Sequence, residues 1–186
     1  ATVLTVEHLM SALFGLGIDN PAVEVDGPEV PIMDGSAAPF VEAIIHAGIR
    51  HQDKSKRYIV VRDPVRVKEG NAWAEVLPSR KFKITCAIDF SHPLINDQKI
   101  YMEFTDAGYV REISRARTFG FLKDVEQLRT CGFALGGSLD NAVVIDDYNV
   151  LNEEGLRYPD EFARHKLLDS LGDIALLGAA VVGHFR

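Results

Sequence analysis

Residues 161–173 read EFARHKLLDSLGD and carry the clearest helical pattern in the chain. Apolar residues recur three and four positions apart, which places them on one side of a helix with about 3.6 residues per turn. That side comprises Leu167, Leu168, Leu171, Ile174 and Gly178. The pattern predicts a helix that begins near Pro159, ends near Leu177 and buries this side in the core.

The opposite side of this helix carries a row of polar residues, His165, Asp169 and Asp173. Each is four positions from the next, slightly more than one turn, so the three lie in line. We expect this row to point away from the core, towards solvent or a cleft. An imidazole and a carboxylate one turn apart can bind the same divalent ion, as two histidines do in zinc-binding helices.

His165 and Asp169 are therefore candidate metal ligands, with Asp173 placed to orient another group. The spacing alone is a weak motif. A solvated polar face with an incidental histidine is the simpler explanation until a third ligand is found.

A second helical pattern runs from Thr5 to Leu16. Its apolar positions are Val6, Leu9, Met10 and Leu13, and Thr5 is the expected N-cap. His8 falls on the opposite side, flanked by Glu7. With His165 and Asp169, His8 would complete the three protein ligands common in catalytic zinc sites. Glu7 would then be placed to accept a proton from water, although it also suits the first turn of a helix electrostatically.

The rest of the chain mixes helix and strand patterns without strict alternation, which predicts an α+β fold. Helices are expected at 38–47 and 125–130, and strands at 22–25, 58–61, 65–68, 72–77, 82–90, 101–104 and 142–145. The polar segment 50–57 is the best linker candidate. The remaining histidines, His46, His51, His92 and His184, are expected to be structural or on the surface.

Composition narrows the classes of function. The 186 residues include 20 Lys and Arg and 27 Asp and Glu, a net charge of −7, which argues against nonspecific nucleic-acid binding. Cys86 and Cys131 are expected to be reduced thiols in a cytoplasmic protein. We expect neither a signal segment nor a membrane-spanning segment, since no apolar stretch approaches about 18 residues.

Three segments stand in the order in which they occur in the bacterial UDP-3-O-acyl-N-acetylglucosamine deacetylases. They are Thr5-Val6-Glu7-His8-Leu9, Pro31-Ile32-Met33-Asp34-Gly35-Ser36-Ala37-Ala38-Pro39-Phe40 and Ser114-Arg115-Ala116-Arg117-Thr118-Phe119-Gly120-Phe121. The match continues through 133–138, 150–157 and 164–169. The chain resembles this family over essentially its whole length.

The resemblance implies hydrolysis of the N-acetyl group of UDP-3-O-acyl-N-acetylglucosamine in lipid A biosynthesis, giving the free amine and acetate. It also implies Zn²⁺ held by His8, His165 and Asp169, although iron(II) accepts the same ligands. The implied roles are general base for Glu7, oxyanion stabilisation for Thr118, orientation of a catalytic histidine for Asp173, and substrate contact for Lys166 and Phe119.

The implied fold is two similar α+β domains, each a mixed sheet packed on a helix pair, with the active site between them. Residues 1–52 would be the remainder of the first domain. Residues 58–186 would be the second, with an insert near 121–135 that forms an apolar passage for the acyl chain. The family's chain also has a part before Ala1 and a Ser-Gly-His-Ala segment after Arg186. We therefore expect a chain cut at both ends that lacks one catalytic histidine.

The expected partner is the UDP-acyl-sugar substrate, and the expected state is a monomer. Two other functions fit the residues. One is a zinc amidohydrolase acting on another acylated substrate, which a comparison of the UDP-sugar with simple N-acetylglucosamine would reveal. The other is a non-catalytic α+β binding module with His165 and Asp169 as surface residues, in which chelators would change nothing.

Overall fold

A computed structural model describes residues 2–125 and 136–186. The helices whose bounds lie within these ranges are α1 (Glu7–Gly15), α2 (Ala38–Ala47), α3 (Asp106–Glu112) and α4 (Glu161–Ala175). The strands are β1 (Tyr58–Val60), β2 (Val65–Glu69), β3 (Ala72–Leu77), β4 (Lys83–Ile88), β5 (Gln98–Glu103), β6 (Phe119–Phe121), β7 (Val143–Ile145), β8 (Ala180–Val182) and β9 (His184–Phe185). The predicted α+β class is confirmed.

The main sheet has five strands in the order β2-β3-β9-β4-β5. It is mixed, because β9 runs antiparallel to β3 and parallel to β4, whereas β2 and β5 pair antiparallel with their neighbours. Two smaller parallel pairs, β1 with β8 and β6 with β7, complete the described strands. The β6 strand contains Phe119, so this pairing fixes the segment that follows Thr118.

One face of the main sheet packs against α4, and α4 packs in turn against α1. The shared core contains residues from all three, among them Ile84, Ile100, Met102, Ala12, Leu167, Leu168 and Leu171. A second cluster of Ile95, Val143, Ile145 and Phe162 joins β7 to the first turn of α4. Burial of this apolar surface holds α1 and α4 together, because apolar area removed from water is the main stabilising term in folding.

A glycine allows α1 and α4 to approach closely. A Cβ atom placed on Gly172 would lie 2.2 Å from the backbone oxygen of Glu7. No real side chain tolerates that distance, and a backbone atom cannot rotate away. The first turn of α1, which contains His8, therefore rests directly on α4.

Gly172→Ala is expected to lower the free energy of unfolding. Alanine gains about 1 kcal/mol of helix propensity over glycine. The added methyl nevertheless forces α1 away from α4, and overpacking typically costs about 1–3 kcal/mol. Urea denaturation would measure the change, with Ser170→Ala on the same helix as the control. A Gly172→Ala protein as stable as the parent would show that α1 does not rest on α4 as described.

Several predicted boundaries are confirmed. The expected helix at 38–47 is α2, and β1, β2, β3, β4 and β7 occupy five of the predicted strands to within two residues. The α4 helix is slightly shorter than expected, because Gly178 adopts a positive φ beyond its end. The expected strand at 101–104 is the second half of β5. The predicted helix at 125–130 and most of the insert lie outside the described residues.

Other predictions are wrong. Thr5 does not cap α1: its φ is +57°, its hydroxyl donates to Glu29 Oε2 at 2.8 Å, and the N-cap is Val6 without a side-chain hydrogen bond. The chain enters α1 from a bridge between Leu4 and Glu29, which fixes Thr5 in that conformation. Residues 22–25 form no strand and are mostly exposed.

Four elements were not anticipated, namely α3, β6, β8 and β9. The α3 helix begins after Thr105, whose Oγ1 accepts a hydrogen bond from Gly108 N at 3.0 Å. The β8 and β9 strands are short and lie in an apolar run that has no strand-like alternation.

Segment 50–57 is exposed and irregular, and a domain boundary there stays a prediction. Among the described helices, none has the length and apolar character to cross a membrane.

Candidate metal centre

Packing of α1 on α4 brings His8 and His165 together. Their ring centroids are 5.0 Å apart with planes at 86°. Asp169 Oδ1 lies 3.7 Å from His8 Nε2 and 3.2 Å from His165 Nε2. One donor atom from each residue lies within 4.8 Å of the other two, so the three side chains could hold one metal ion.

The site is more enclosed than the helix pattern predicted. His165 is 1% exposed, His8 is 6% exposed, and the Asp169 side chain is 21% exposed. The expectation that this row points towards solvent or a cleft is therefore wrong for His165, which is buried, whereas Asp169 is only partly buried. The leucine spacing identifies one buried side of α4 but does not reveal that α1 covers the other. Towards Asp173 the row becomes exposed, and there the site opens to solvent.

A backbone carbonyl fixes the orientation of the His165 ring. Nδ1 lies 3.0 Å from the oxygen of Ala116. A carbonyl can only accept, so Nδ1 carries the proton and donates, which leaves the lone pair on Nε2, beside Asp169. Metal-binding histidines usually have this arrangement, in which the second nitrogen donates to a carbonyl or carboxylate. Sequence reasoning missed this contact, because the acceptor is a main-chain atom and leaves no signal in residue type.

His8 provides a test of whether the site fits a metal. Its Nδ1 is buried and has no hydrogen-bond partner among the described residues. Buried polar atoms in proteins are nearly always paired, and leaving one unpaired costs about 1–3 kcal/mol. A histidine that merely fills the core would not be expected in this state. Two imidazoles and one carboxylate also match the donor set of a catalytic zinc site.

Burial keeps both imidazoles neutral near pH 7. It lowers the pKa of His165 to about 4, against the opposing charge of Asp169. The pKa of His8 is also lowered by burial, again with Asp169 opposing. Only neutral imidazole binds a metal, so these shifts favour metal binding across the physiological range of pH.

The metal-free protein is expected to lose stability as pH falls from about 6.5 towards 4. The pKa of His165 is about 4 in the folded protein against an ordinary 6.5, so the unfolded chain binds more protons between these values. Each such proton contributes up to about 1.4 kcal/mol per pH unit. Urea denaturation at pH 6.5, 5.8 and 5.0 would measure the slope. His165→Gln should make the slope shallower. Parallel slopes for the two proteins would show that His165 is not the group responsible for the loss of stability.

The expected substrate contacts, Lys166 and Phe119, lie beside the three candidate metal ligands. Lys166 Nζ donates to Asp169 Oδ2 at 3.1 Å and lies 5.6 Å from the centre of the Phe119 ring. The Phe119 ring is in turn 6.4 Å from the His165 ring. Asp169 thus directs one oxygen to the imidazoles and the other to a lysine.

Thr118, the expected oxyanion residue, lies between two residues that contact His165, namely Ala116 and Phe119. Its N–H donates to Gly35 O at 2.7 Å, and its carbonyl accepts from Val143 N at 2.8 Å. Gly35 has φ +82°, and a Cβ there would lie 2.1 Å from the oxygen of Asn141. Only glycine fits at this turn, which fixes the backbone of Thr118 close to the histidine.

Two carboxylates accompany the site. Glu7 is half-buried in the first turn of α1, adjacent in sequence to His8, and Asp173 is exposed one turn beyond Asp169. Partial burial raises the pKa of Asp173, and the negative charges of Asp169 and Glu7 raise it further. The three carboxyl groups are therefore close enough to influence one another.

The other titratable candidates lie elsewhere. His46 and His51 are exposed, as predicted. His92 Nε2 donates to Asp146 O at 2.8 Å, and His184 Nε2 lies 2.9 Å from Thr85 Oγ1. Cys86 is a half-buried free thiol whose pKa burial raises to about 11. Cys131 lies outside the described residues.

Comparison with known proteins gives one consistent result. The family model described as UDP-3-O-acyl N-acetylglycosamine deacetylase (LpxC) matches residues 1–186. The UDP-3-O-acyl-N-acetylglucosamine deacetylase of Acidithiobacillus ferrooxidans is 58% identical over 183 residues, 97% of this chain and 60% of that protein. The proteins of that name in Myxococcus xanthus and Legionella pneumophila are 57% and 56% identical, over 97% and 99% of this chain and 57% and 61% of theirs. The chain spans about three fifths of the length of these relatives.

Proposed function

The chain belongs to the UDP-3-O-acyl N-acetylglycosamine deacetylase family, and from this we propose that the protein removes the N-acetyl group of UDP-3-O-acyl-N-acetylglucosamine in lipid A biosynthesis. The products are the free glucosamine amine and acetate. The observation that carries the proposal is the convergence of His8, His165 and Asp169 on one point. The relatives' printed name supplies the substrate, and the donor set supports amide hydrolysis.

We propose Zn²⁺ as the cofactor, held by His8, His165 and Asp169. Two neutral imidazoles and one carboxylate are a set of three protein ligands of the kind that catalytic zinc sites use. When bound, the ion supplies a Lewis acid that polarises the acetamide carbonyl and makes water acidic enough to react near neutral pH. Iron(II) accepts the same ligands, so the donor set does not choose between the two ions; we propose zinc because a hydrolysis needs a Lewis acid and no change of oxidation state.

Glu7 is proposed as the general base. It neighbours a candidate ligand in sequence without belonging to the three donor residues, and its carboxylate can accept the proton of the attacking water. Thr118 is proposed to donate a hydrogen bond from its hydroxyl to the oxyanion. In support, its backbone is hydrogen-bonded to Gly35 and Val143 and lies next to residues that contact His165. Asp173 is proposed to orient a catalytic histidine, and the nearby negative charges of Asp169 and Glu7 would favour the protonated form of that imidazole.

Lys166 and Phe119 are proposed to contact the substrate. The ammonium group of Lys166 is a cation beside a candidate metal ligand, Asp169, and the diphosphate of the substrate is an anion. Phe119 lies beside both Lys166 and His165 and offers an apolar surface near the reacting group. The proposed acyl passage at 121–135 falls mostly outside the described residues.

We further propose a monomeric cytoplasmic enzyme in which residues 1–52 and 58–186 belong to two α+β domains. All three candidate ligands come from one chain, so the site needs no second copy. The free thiol of Cys86 is compatible with a reducing compartment.

The proposed function is tested by acetate release from UDP-3-O-acyl-N-acetylglucosamine with the full-length protein. We expect turnover that a chelator abolishes and added Zn²⁺ restores. Simple N-acetylglucosamine, which lacks the nucleotide and the acyl chain, should be a far poorer substrate. Equal turnover of the two would indicate an amidohydrolase with another substrate. A protein that binds no metal and releases no acetate would be a non-catalytic module.

A further inference from the structure

A fourth residue extends the polar row of α4. Glu161 lies one turn before His165 and is 0% exposed. Its Oε1 accepts hydrogen bonds from the backbone N–H and the Nε of Arg117, both at 3.0 Å, and its Oε2 accepts from the backbone N–H of Arg157 at 2.6 Å. This carboxylate therefore joins the start of α4 to two separate segments of the chain.

Arg117 is equally enclosed, at 2% exposed. Besides Glu161, its guanidinium donates to the carbonyl of Gly155 at 2.7 Å and to the carboxylate of Glu154. Every guanidinium nitrogen has an acceptor, which a buried arginine needs because an unpaired charge in the interior is very costly. The planar guanidinium contacts several acceptors in fixed directions, a geometry that lysine cannot reproduce.

The two residues on either side of Arg117 are the ones that touch or flank the proposed reaction centre. Ala116 provides the carbonyl that orients His165. Thr118 carries the proposed oxyanion hydroxyl. Because Glu161 binds both the backbone and the side chain of Arg117, it fixes the position of residues 116–118 relative to the helix that bears His165 and Asp169.

We propose that Arg117 and Glu161 are positioning residues, a buried ion pair that sets the Ala116 carbonyl against His165 and aligns Thr118 with the metal site. This inference rests on the proposed function. The pair touches neither the candidate metal nor the substrate. Its effect is transmitted through one hydrogen bond to a ligand and through one backbone segment. Groups in this outer position are known to alter metal affinity and turnover without changing the ligands.

Arg117→Lys in the full-length protein tests the proposal, with Arg164→Lys as the matched control. Arg164 is a half-buried arginine of α4 that, like Arg117, donates to two carboxylates, those of Asp160 and Glu112, and to a backbone carbonyl, Glu112 O. It has no bond to residues 116–118 among those described. Zinc affinity would be measured by competition with a chelator, and kcat and KM with UDP-3-O-acyl-N-acetylglucosamine.

We expect Arg117→Lys to weaken zinc binding and lower kcat, each by about 10–100-fold, with KM changed by less than about 3-fold. Arg164→Lys should change all three by less than about 3-fold. A purely structural role for Arg117 would lower the melting temperature of Arg117→Lys and leave its zinc affinity and kcat within about 3-fold of the parent's. That result would overturn the proposal.

Glu161→Gln is the second variant, for the case in which Arg117→Lys does not fold. Glutamine keeps the shape of glutamate but loses its charge and turns an N–H towards donors. We expect the same direction of change in zinc affinity and kcat. Glu161→Gln with parental values of both would also overturn the proposal. The proposed function itself is judged on the parent protein alone: it fails if the parent releases no acetate from UDP-3-O-acyl-N-acetylglucosamine, whatever the two variants do.

Discussion

Glu7→Gln is expected to lower kcat for acetate release by about 10²–10⁴-fold while leaving zinc bound. The amide has nearly the shape of the carboxylate but cannot accept a proton at neutral pH. The three candidate ligands are unchanged, so metal content and the free energy of unfolding should stay close to those of the parent. This separation of turnover from metal binding is what distinguishes a proton acceptor from a ligand.

The control for this variant is Glu42→Gln, which changes an exposed glutamate of α2. It should leave kcat unaltered, which would exclude a general effect of removing one negative charge. Near-normal turnover by Glu7→Gln would rule out the proposed base.

His165→Ala is expected to abolish both stoichiometric zinc binding and measurable turnover. Outer partners of zinc ligands already cost about 10–100-fold in affinity when they are replaced, and a ligand should cost more. The change also leaves a cavity in a fully buried position and deprives the Ala116 carbonyl of its donor, so the free energy of unfolding should fall by about 1–3 kcal/mol. Metal analysis after dialysis and the acetate assay measure the two main effects.

His92→Ala provides the comparison, because His92 also donates from its ring to a backbone carbonyl, that of Asp146. It lies away from the three donor residues and should retain one zinc per chain. A His165→Ala protein that kept stoichiometric zinc and normal turnover would remove His165 from the site.

Much of the site could be predicted from local pattern. The spacing of His165 and Asp169 on α4 needs only the helical period, and the adjacency of Glu7 and His8 needs only the sequence. The packing of α1 over the polar row of α4 could not be derived in this way, because the period reveals an apolar side and not what covers the other. Gly172, whose missing side chain allows that packing, is simply a glycine in a helix from the sequence alone.

The contacts that orient the site were hidden for a different reason. The carbonyl of Ala116 is a backbone atom, and any residue type could supply it. Glu161 lies one turn from His165 and could have been included in the row, but its partner Arg117 is 44 residues away in sequence. The β8 and β9 strands were missed because the strands beside them, rather than their own two or three residues, determine them.

The central claim is that one cation binds His8, His165 and Asp169 together, and diffraction at the zinc absorption edge tests it most directly. For crystals of the zinc-loaded, full-length protein, we predict a single anomalous peak about 2.0–2.2 Å from a ring nitrogen of each histidine and from an oxygen of Asp169. Zinc bound at another place in an active protein, with these three side chains free of it, would contradict the account.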